Sequence, residues 1–212
     1  MKRILQLGMT DVYGGTEAYL MNQYRNINHS KIEYDFLCVN TGVKKICCAD
    51  EILKKSKIFY LPFNRKKAPL HTYISYLKWM KKYAEDYDAI VFNMNGLNIV
   101  FPLLAYKIFG KGKVIAHSHN AGEMDANMSL PMRFIRRINK FILNRIVDVR
   151  FACSNLAGNY LFSNHKYIVI HNAINLDKFQ FNENHRKCLR RKYKVEKKFI
   201  IGNVGRLSYQ KN

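Results

Sequence analysis

MKRILQLGMTDVYGGTEAYLMNQY, residues 1–24, is the stretch from which the rest of the chain is read. Residues 4–7 are a short apolar run that Gly8 ends, and a loop follows that closes on Gly14-Gly15. From Thr16 the pattern turns helical, with Ala18, Tyr19 (or Leu20) and Met21 recurring at helical spacing. Strand, glycine loop and helix together present free backbone N–H groups at a helix N-terminus, where the helix dipole also favours an anion. Glycine lets the backbone approach a ligand closely. Thr16 or Gly15 suits the cap position, and Glu17 suits the first turn. Gly14-Gly15 is neither G-x-G-x-x-G nor a Walker A loop. Taken alone, the loop fits a sharp strand-to-helix turn as well as a phosphate site.

The 212 residues are enough for one domain, or for one domain and part of another. An apolar share of 48% supports a real core, and 36 Lys+Arg against 15 Asp+Glu give a formal charge of +21. That excess favours an anionic partner, whether nucleic acid, lipid headgroup or phosphorylated substrate. Five cysteines, with no C-x-x-C, read as reduced thiols of a cytosolic protein. Cys153, in an apolar run, reads as core filler. The apolar stretch after Lys2-Arg3 is too short for a signal peptide. Residues 97–109, interrupted by Pro102 and Lys107, fall short of the roughly 20 residues that span a bilayer.

Strands are expected at residues 31–40, 58–61, 89–92, 113–116, 149–153, 167–170 and 199–204. Helices are expected at 50–57, 69–83, 97–109, 131–146, 155–162 (capped by Ser154) and 183–193. This alternation means an α/β fold with a doubly wound, Rossmann-like parallel sheet. Ligands of such sheets sit beyond the carboxyl ends of the strands. Gly14-Gly15, residues 117–120, Ser154 and Arg206 all follow expected strands. Residues 1–180 are read as the first domain. The strand at 199–204, which lacks a following crossover, reads as part of a second, incomplete α/β domain in residues 181–212.

Five pieces then resemble a known family: GGTEAYLMN (14–22), IAHSHNA (115–121), ACSNLAGNYLF (152–162), VIHNAINLDKF (169–179) and GNVGRLSYQKN (202–212). In order and spacing the chain resembles the N-terminal half of a GT-B fold glycosyltransferase of family 4. That group is retaining and uses nucleotide sugars, and it includes capsular and exopolysaccharide enzymes. The resemblance implies an acceptor-binding first domain and a nucleotide-sugar-binding second one. It implies transfer of a sugar to a polysaccharide or lipid-linked acceptor.

In that reading Arg206 and Lys211 bind the donor diphosphate, Arg206 with several planar donors and Lys211 as a point charge. Gly14 and Gly15 bring backbone N–H groups to the same phosphates. The resemblance implies that these cations stand in place of a metal. His117, at a strand end, is expected to face the cleft and act near the reacting centre, with His119 as the alternative. Asn120 and Glu17 are expected on the acceptor side, Glu17 also serving the helix start. Ser154 reads as a helix cap, since no triad motif surrounds it.

The partners implied are a nucleotide sugar, a saccharide or lipid-linked acceptor, and an anionic membrane surface at the cytoplasmic side. The membrane reading rests on the basic helices 69–83, with Trp79, and 131–146, with Met132 and Phe134. The alternative is a basic binding module for nucleic acid or anionic lipid without catalysis. Nucleic acid ranks low because no recognisable binding motif and no regular aromatic interleaving accompany the charge. A sugar-nucleotide epimerase of the same fold is a further reading.

Overall fold

The computed structural model describes residues 1–38, 44–61, 69–122 and 128–204. Its strands are β1 (Lys2–Leu7), β2 (Ile32–Cys38), β3 (Ile58–Tyr60), β4 (Ala89–Met94), β5 (Lys113–Ser118), β6 (Val149–Ala152) and β7 (Ile168–Val169). Between them run α1 (Gly15–Asn26), α2 (Ala49–Ile52), α3 (Pro69–Tyr83), α4 (Phe101–Phe109), α5 (Leu130–Ile146) and α6 (Asn155–Phe162). All seven strands are parallel, in the order β3-β2-β1-β4-β5-β6-β7. This is the doubly wound α/β sheet that the alternation implied.

Both faces of the sheet are covered, and central strand residues such as Leu5, Ile90 and Val114 are apolar and fully buried. Leu5 and Leu7 of β1 join a core with Ile90, Phe92 and residues of α3, α4, α5 and α6. The opposite face carries Tyr34 and Phe36 against Tyr19, Leu20 and Met21 of α1 and Ile52 of α2. The strand order reverses between β1 and β4. At such a switch point the connections leave in opposite directions and open a crevice at the carboxyl edge. Gly8 ends β1 at this point, with φ of +114°. A Cβ there would lie 2.4 Å from the Asn93 carbonyl oxygen, so both conformation and space require glycine.

Several boundaries differ from expectation for local reasons. The helix expected from residue 97 starts at Phe101, because Pro102 suits only a first turn. Leu97 and Val100 are nevertheless buried ahead of it. The cap of α1 is Gly14, not Thr16 or Gly15. Ser154 does cap α6, accepting from Ala157 N–H at 3.2 Å. Trp79 is not a surface anchor: it packs on Phe59, Tyr83 and Tyr87 beside the core.

Contacts divide the chain into two units, Met1–Asn172 and Ala173–Asn212, so the boundary expected after residue 180 falls inside the second. The sheet lies wholly in the first. The second contains α7 (Glu183–Lys192), capped by Asn182 through His185 N–H at 2.9 Å. Residues 199–204 are not a strand. A strand needs a neighbour to take its N–H and C=O groups, and no ladder forms there among the described residues. Phe199, Ile201 and Val204 are exposed. Arg206 and Lys211 lie outside the described residues.

Candidate functional site

The site is built at the carboxyl edge, where the loop after β1 meets the ends of β4 and β5. In α1 the first N–H to join the helix ladder is that of Ala18, which bonds Gly14 O at 2.9 Å. The N–H groups of Gly15, Thr16 and Glu17 precede it at the positive end of the helix. A Cβ on Gly15 would meet nothing within 4 Å. Packing within the chain therefore does not demand glycine at 15, and open space borders this turn.

Glu17 holds the loop in shape. Its carboxylate accepts from Thr10 Oγ1 at 2.7 Å and from Gly14 N–H at 3.1 Å. Thr10 Oγ1 in turn accepts from Val12 N–H at 3.3 Å. With 5% of its surface exposed and both oxygens engaged, Glu17 sits beneath the loop. Thr16, also buried, donates to Asn95 Oδ1 at 3.1 Å and so ties α1 to the end of β4. Asn120 donates to Asn95 O at 3.3 Å and to Gly122 O at 2.9 Å, joining the loop after β5 to the same point.

His117 does not face an open cleft as expected: it is 2% exposed. It lies on the α1 side of β5, in register with Asn93. Its ring meets Tyr19 edge-on at 4.9 Å and lies 4.0 Å from the ring of His119. Strand alternation explains the difference, since the residue that ends inside this face is covered by the helix packed over it. His119, just past the strand, is half-buried. Its Nε2 bonds Asn93 Oδ1 at 3.0 Å.

Burial pushes His117 down to about 4, and burial together with His117 pushes His119 down to about 3. Both rings are neutral at physiological pH. Among the described residues, His117 Nε2 and His119 Nδ1 are buried without a protein partner. A buried polar atom left unpaired is costly, so this pair of nitrogens calls for a ligand group or a water. Neutral imidazoles suit hydrogen bonding to hydroxyls better than pairing with phosphate.

Gln6, Asn93 and Asn95 were missed by sequence reading. Asn93 and Asn95 lie past the residues expected for β4, which ended at Phe92. The alternation of polar with apolar residues in the run FNMN was the available signal. Among the described residues no group of three or more His, Cys, Asp or Glu is placed to hold a metal ion.

The structure thus defines an α/β domain of the doubly wound, Rossmann-like class, with polar loops gathered at its switch point. No protein-family model matches the chain. It is 26% identical over 225 residues to "Putative glycosyltransferase EpsF" of Bacillus subtilis (strain 168). That match covers 100% of this chain and 56% of the relative. Anabaena Alr3699/HepE, solved in complex with UDP-glucose, superposes with a TM-score of 0.66 at 17% identity. It is matched over 98% of this chain and 54% of its own. A UDP-N-acetylglucosamine 2-epimerase superposes with a TM-score of 0.53 at 15% identity, over 78% of this chain and 45% of its own. The chain therefore spans about half the length of the proteins it matches. The structural likenesses show a shared fold.

Proposed function

We propose that this chain is the N-terminal part of a glycosyltransferase that moves a sugar from a nucleotide-sugar donor to a saccharide or lipid-linked acceptor in surface polysaccharide synthesis. The observation that carries the proposal is the gathering of the Gly14-Gly15 turn, Thr16, His119 and Asn120 at one switch point, in a chain that aligns along its whole length with EpsF. The epimerase likeness is one of fold alone.

The finer reading is a retaining GT-B enzyme of family 4, with residues 1–180 facing the acceptor and the chain from 181 onward beginning the donor side. Leaving-group charge on the diphosphate is met by Arg206, Lys211 and the N–H groups at Gly14 and Gly15, without a metal. His119, rather than His117, is placed to touch a sugar hydroxyl, and His117 supports it from beneath. Asn120 orients the acceptor, and Glu17 acts by shaping the loop.

The reading includes attachment to the cytoplasmic face of the membrane. No helix among the described residues is long and apolar enough to cross a bilayer. α5, however, exposes Phe134 (66%) and Phe141 (61%) with Leu130 and Ile138, carries no acidic residue, and bears exposed Arg133, Arg137 and Arg145. Arg145 stacks over Phe141 at 4.7 Å. Such a helix suits an anionic interface, where each Lys or Arg adds roughly 1 kcal/mol.

The test is transfer of labelled sugar by the complete protein from nucleotide sugars to membrane extracts and saccharide acceptors. Acceptor-dependent incorporation supports the proposal. Conversion of one sugar nucleotide into another without an acceptor overturns it in favour of an epimerase. Sedimentation with anionic and neutral vesicles tests the membrane part, and equal recovery in both supernatants refutes it.

A further inference from the structure

A chain of buried amide groups runs beneath the site and ends on His119. Asn93 is 3% exposed and Gln6 is 2% exposed, so neither amide has water to satisfy it. Asn93 Nδ2 lies 3.0 Å from the backbone carbonyl oxygen of Leu7 and 3.1 Å from Gln6 Oε1. A carbonyl oxygen only accepts, so the end of Asn93 that faces Leu7 must be its NH2. The opposite end, facing His119 Nε2 at 3.0 Å, is then the oxygen. Turning the amide over would set its oxygen against Leu7 O and leave a buried acceptor unpaired. The remaining NH2 of Gln6 bonds the Tyr34 hydroxyl. The hydrogen bonds therefore run one way, from His119 through Asn93 and Gln6 to Tyr34.

We propose that Asn93 is a positioning residue that fixes the tautomer of His119, holding its proton on Nε2 and presenting Nδ1 as a lone-pair acceptor for a hydroxyl-bearing ligand. An oxygen facing Nε2 requires a proton there, and a neutral ring has only one. Nδ1 is the nitrogen left buried without a partner. It can bond a hydroxyl, which donates, and repels phosphate or carboxylate oxygens, which only accept. The phosphate and hydroxyl contacts of the site are thereby separated, phosphate to the turn at Gly15 and hydroxyl to His119. Gly8 makes the arrangement possible, because a Cβ there would strike Asn93. Tilted ring contacts with His117 and Tyr19 hold the ring plane. The identity of the ligand as a sugar rests on the proposed function; the tautomer does not.

The experiment is long-range 1H–15N correlation NMR of the 212-residue chain labelled at histidine, with His119 assigned by the loss of its signals in His119→Gln. The expected wild-type pattern is a protonated Nε2 and an unprotonated Nδ1. Asn93→Leu should lose this pattern, giving a mixture or the Nδ1–H form. Asn93→Asp, which keeps an oxygen facing Nε2, should retain the Nε2 proton and raise the pH at which His119 titrates. Gln6→Met should leave the tautomer unchanged, since Leu7 O alone still orients Asn93, and it provides a folded comparison if Asn93→Leu does not fold. An Nδ1–H tautomer in the wild type, or a tautomer indifferent to Asn93→Leu in a folded chain, overturns the proposal. Neither result depends on whether the complete protein transfers sugar.

Discussion

Replacing Glu17 with Ala should loosen the loop between β1 and α1 without unfolding the sheet. The carboxylate accepts two hydrogen bonds, from Thr10 Oγ1 at 2.7 Å and Gly14 N–H at 3.1 Å. Hydrogen bonds to a charged group contribute roughly 1.5–3 kcal/mol each. Their joint loss, partly offset by water entering the gap, should cost the loop about 2–4 kcal/mol. Since 1.4 kcal/mol is a factor of ten, amide exchange at Gly14 should speed up by about 30-fold or more, while that of Gly15, which is exposed, should change little. Glu17→Gln, which keeps one oxygen and the volume, should give an intermediate acceleration. Exchange measured by NMR on the 212-residue chain reads these positions separately, with β1 and β4 amides as internal reference. Unchanged exchange in Glu17→Ala would refute the view that this carboxylate shapes the loop. A fall in acceptor affinity of the complete protein with unchanged exchange would instead return Glu17 to the acceptor side.

Gly15→Ala should leave the stability of the chain within about 0.5–1 kcal/mol of the wild type, because its Cβ enters open space; nucleotide-sugar affinity of the complete protein, measured by calorimetry, should fall. Gly8→Ala combines a φ of +114° with a 2.4 Å contact to Asn93 O and should destabilise by more than about 2 kcal/mol, read as a lower urea midpoint. His117 and His119 titrate near 4 and 3 in the folded chain, below the ordinary 6.5. The unfolded chain therefore binds more protons between those values, and stability should fall as pH drops from about 6.5 towards 4, by a few kcal/mol. Urea titrations at pH 7 and 5 check this, and His119→Gln should flatten the slope.

The fold was legible because strand and helix periods alternate cleanly from residue 1 to residue 170. Both ends of α3 and its proline start were readable, as was the Ser154 cap of α6. The loop after β1 was legible from Gly14-Gly15, though not the identity of its cap. Glu17, at the third helical position, accepts from the N–H of the cap residue Gly14, the half of a capping box that does not need a Ser or Thr. The burial of His117 was not readable, because a position at a strand end does not reveal which face a covering helix occupies. Asn93 and Gln6 were invisible for a related reason. Their partners lie 86 and 87 residues away, brought together only by the pairing of β1 with β4. Residues 199–204 show the converse case: strand composition without a partner strand does not make a ladder.

The placement of buried polar groups is the strongest argument that the carboxyl edge is where this protein acts. Gln6, Thr16, Glu17, Asn93, His117 and Ser118 are all buried, and all lie on α1 or at the carboxyl ends of β1, β4 and β5. Deeper in the sheet the same strands carry Leu5, Ile90 and Val114, all fully buried. A core selected for stability alone would extend that aliphatic packing to the edge, since buried polar groups at best break even against well-packed hydrophobic ones. Here both amide oxygens have a donor, Gln6 Oε1 from Asn93 and Asn93 Oδ1 from His119, while among the described residues His117 Nε2 and His119 Nδ1 have no protein partner. Unpaired nitrogens above a paired amide layer are poor design for folding and fit a binding edge, because their cost is recovered when a ligand group or a water bonds them.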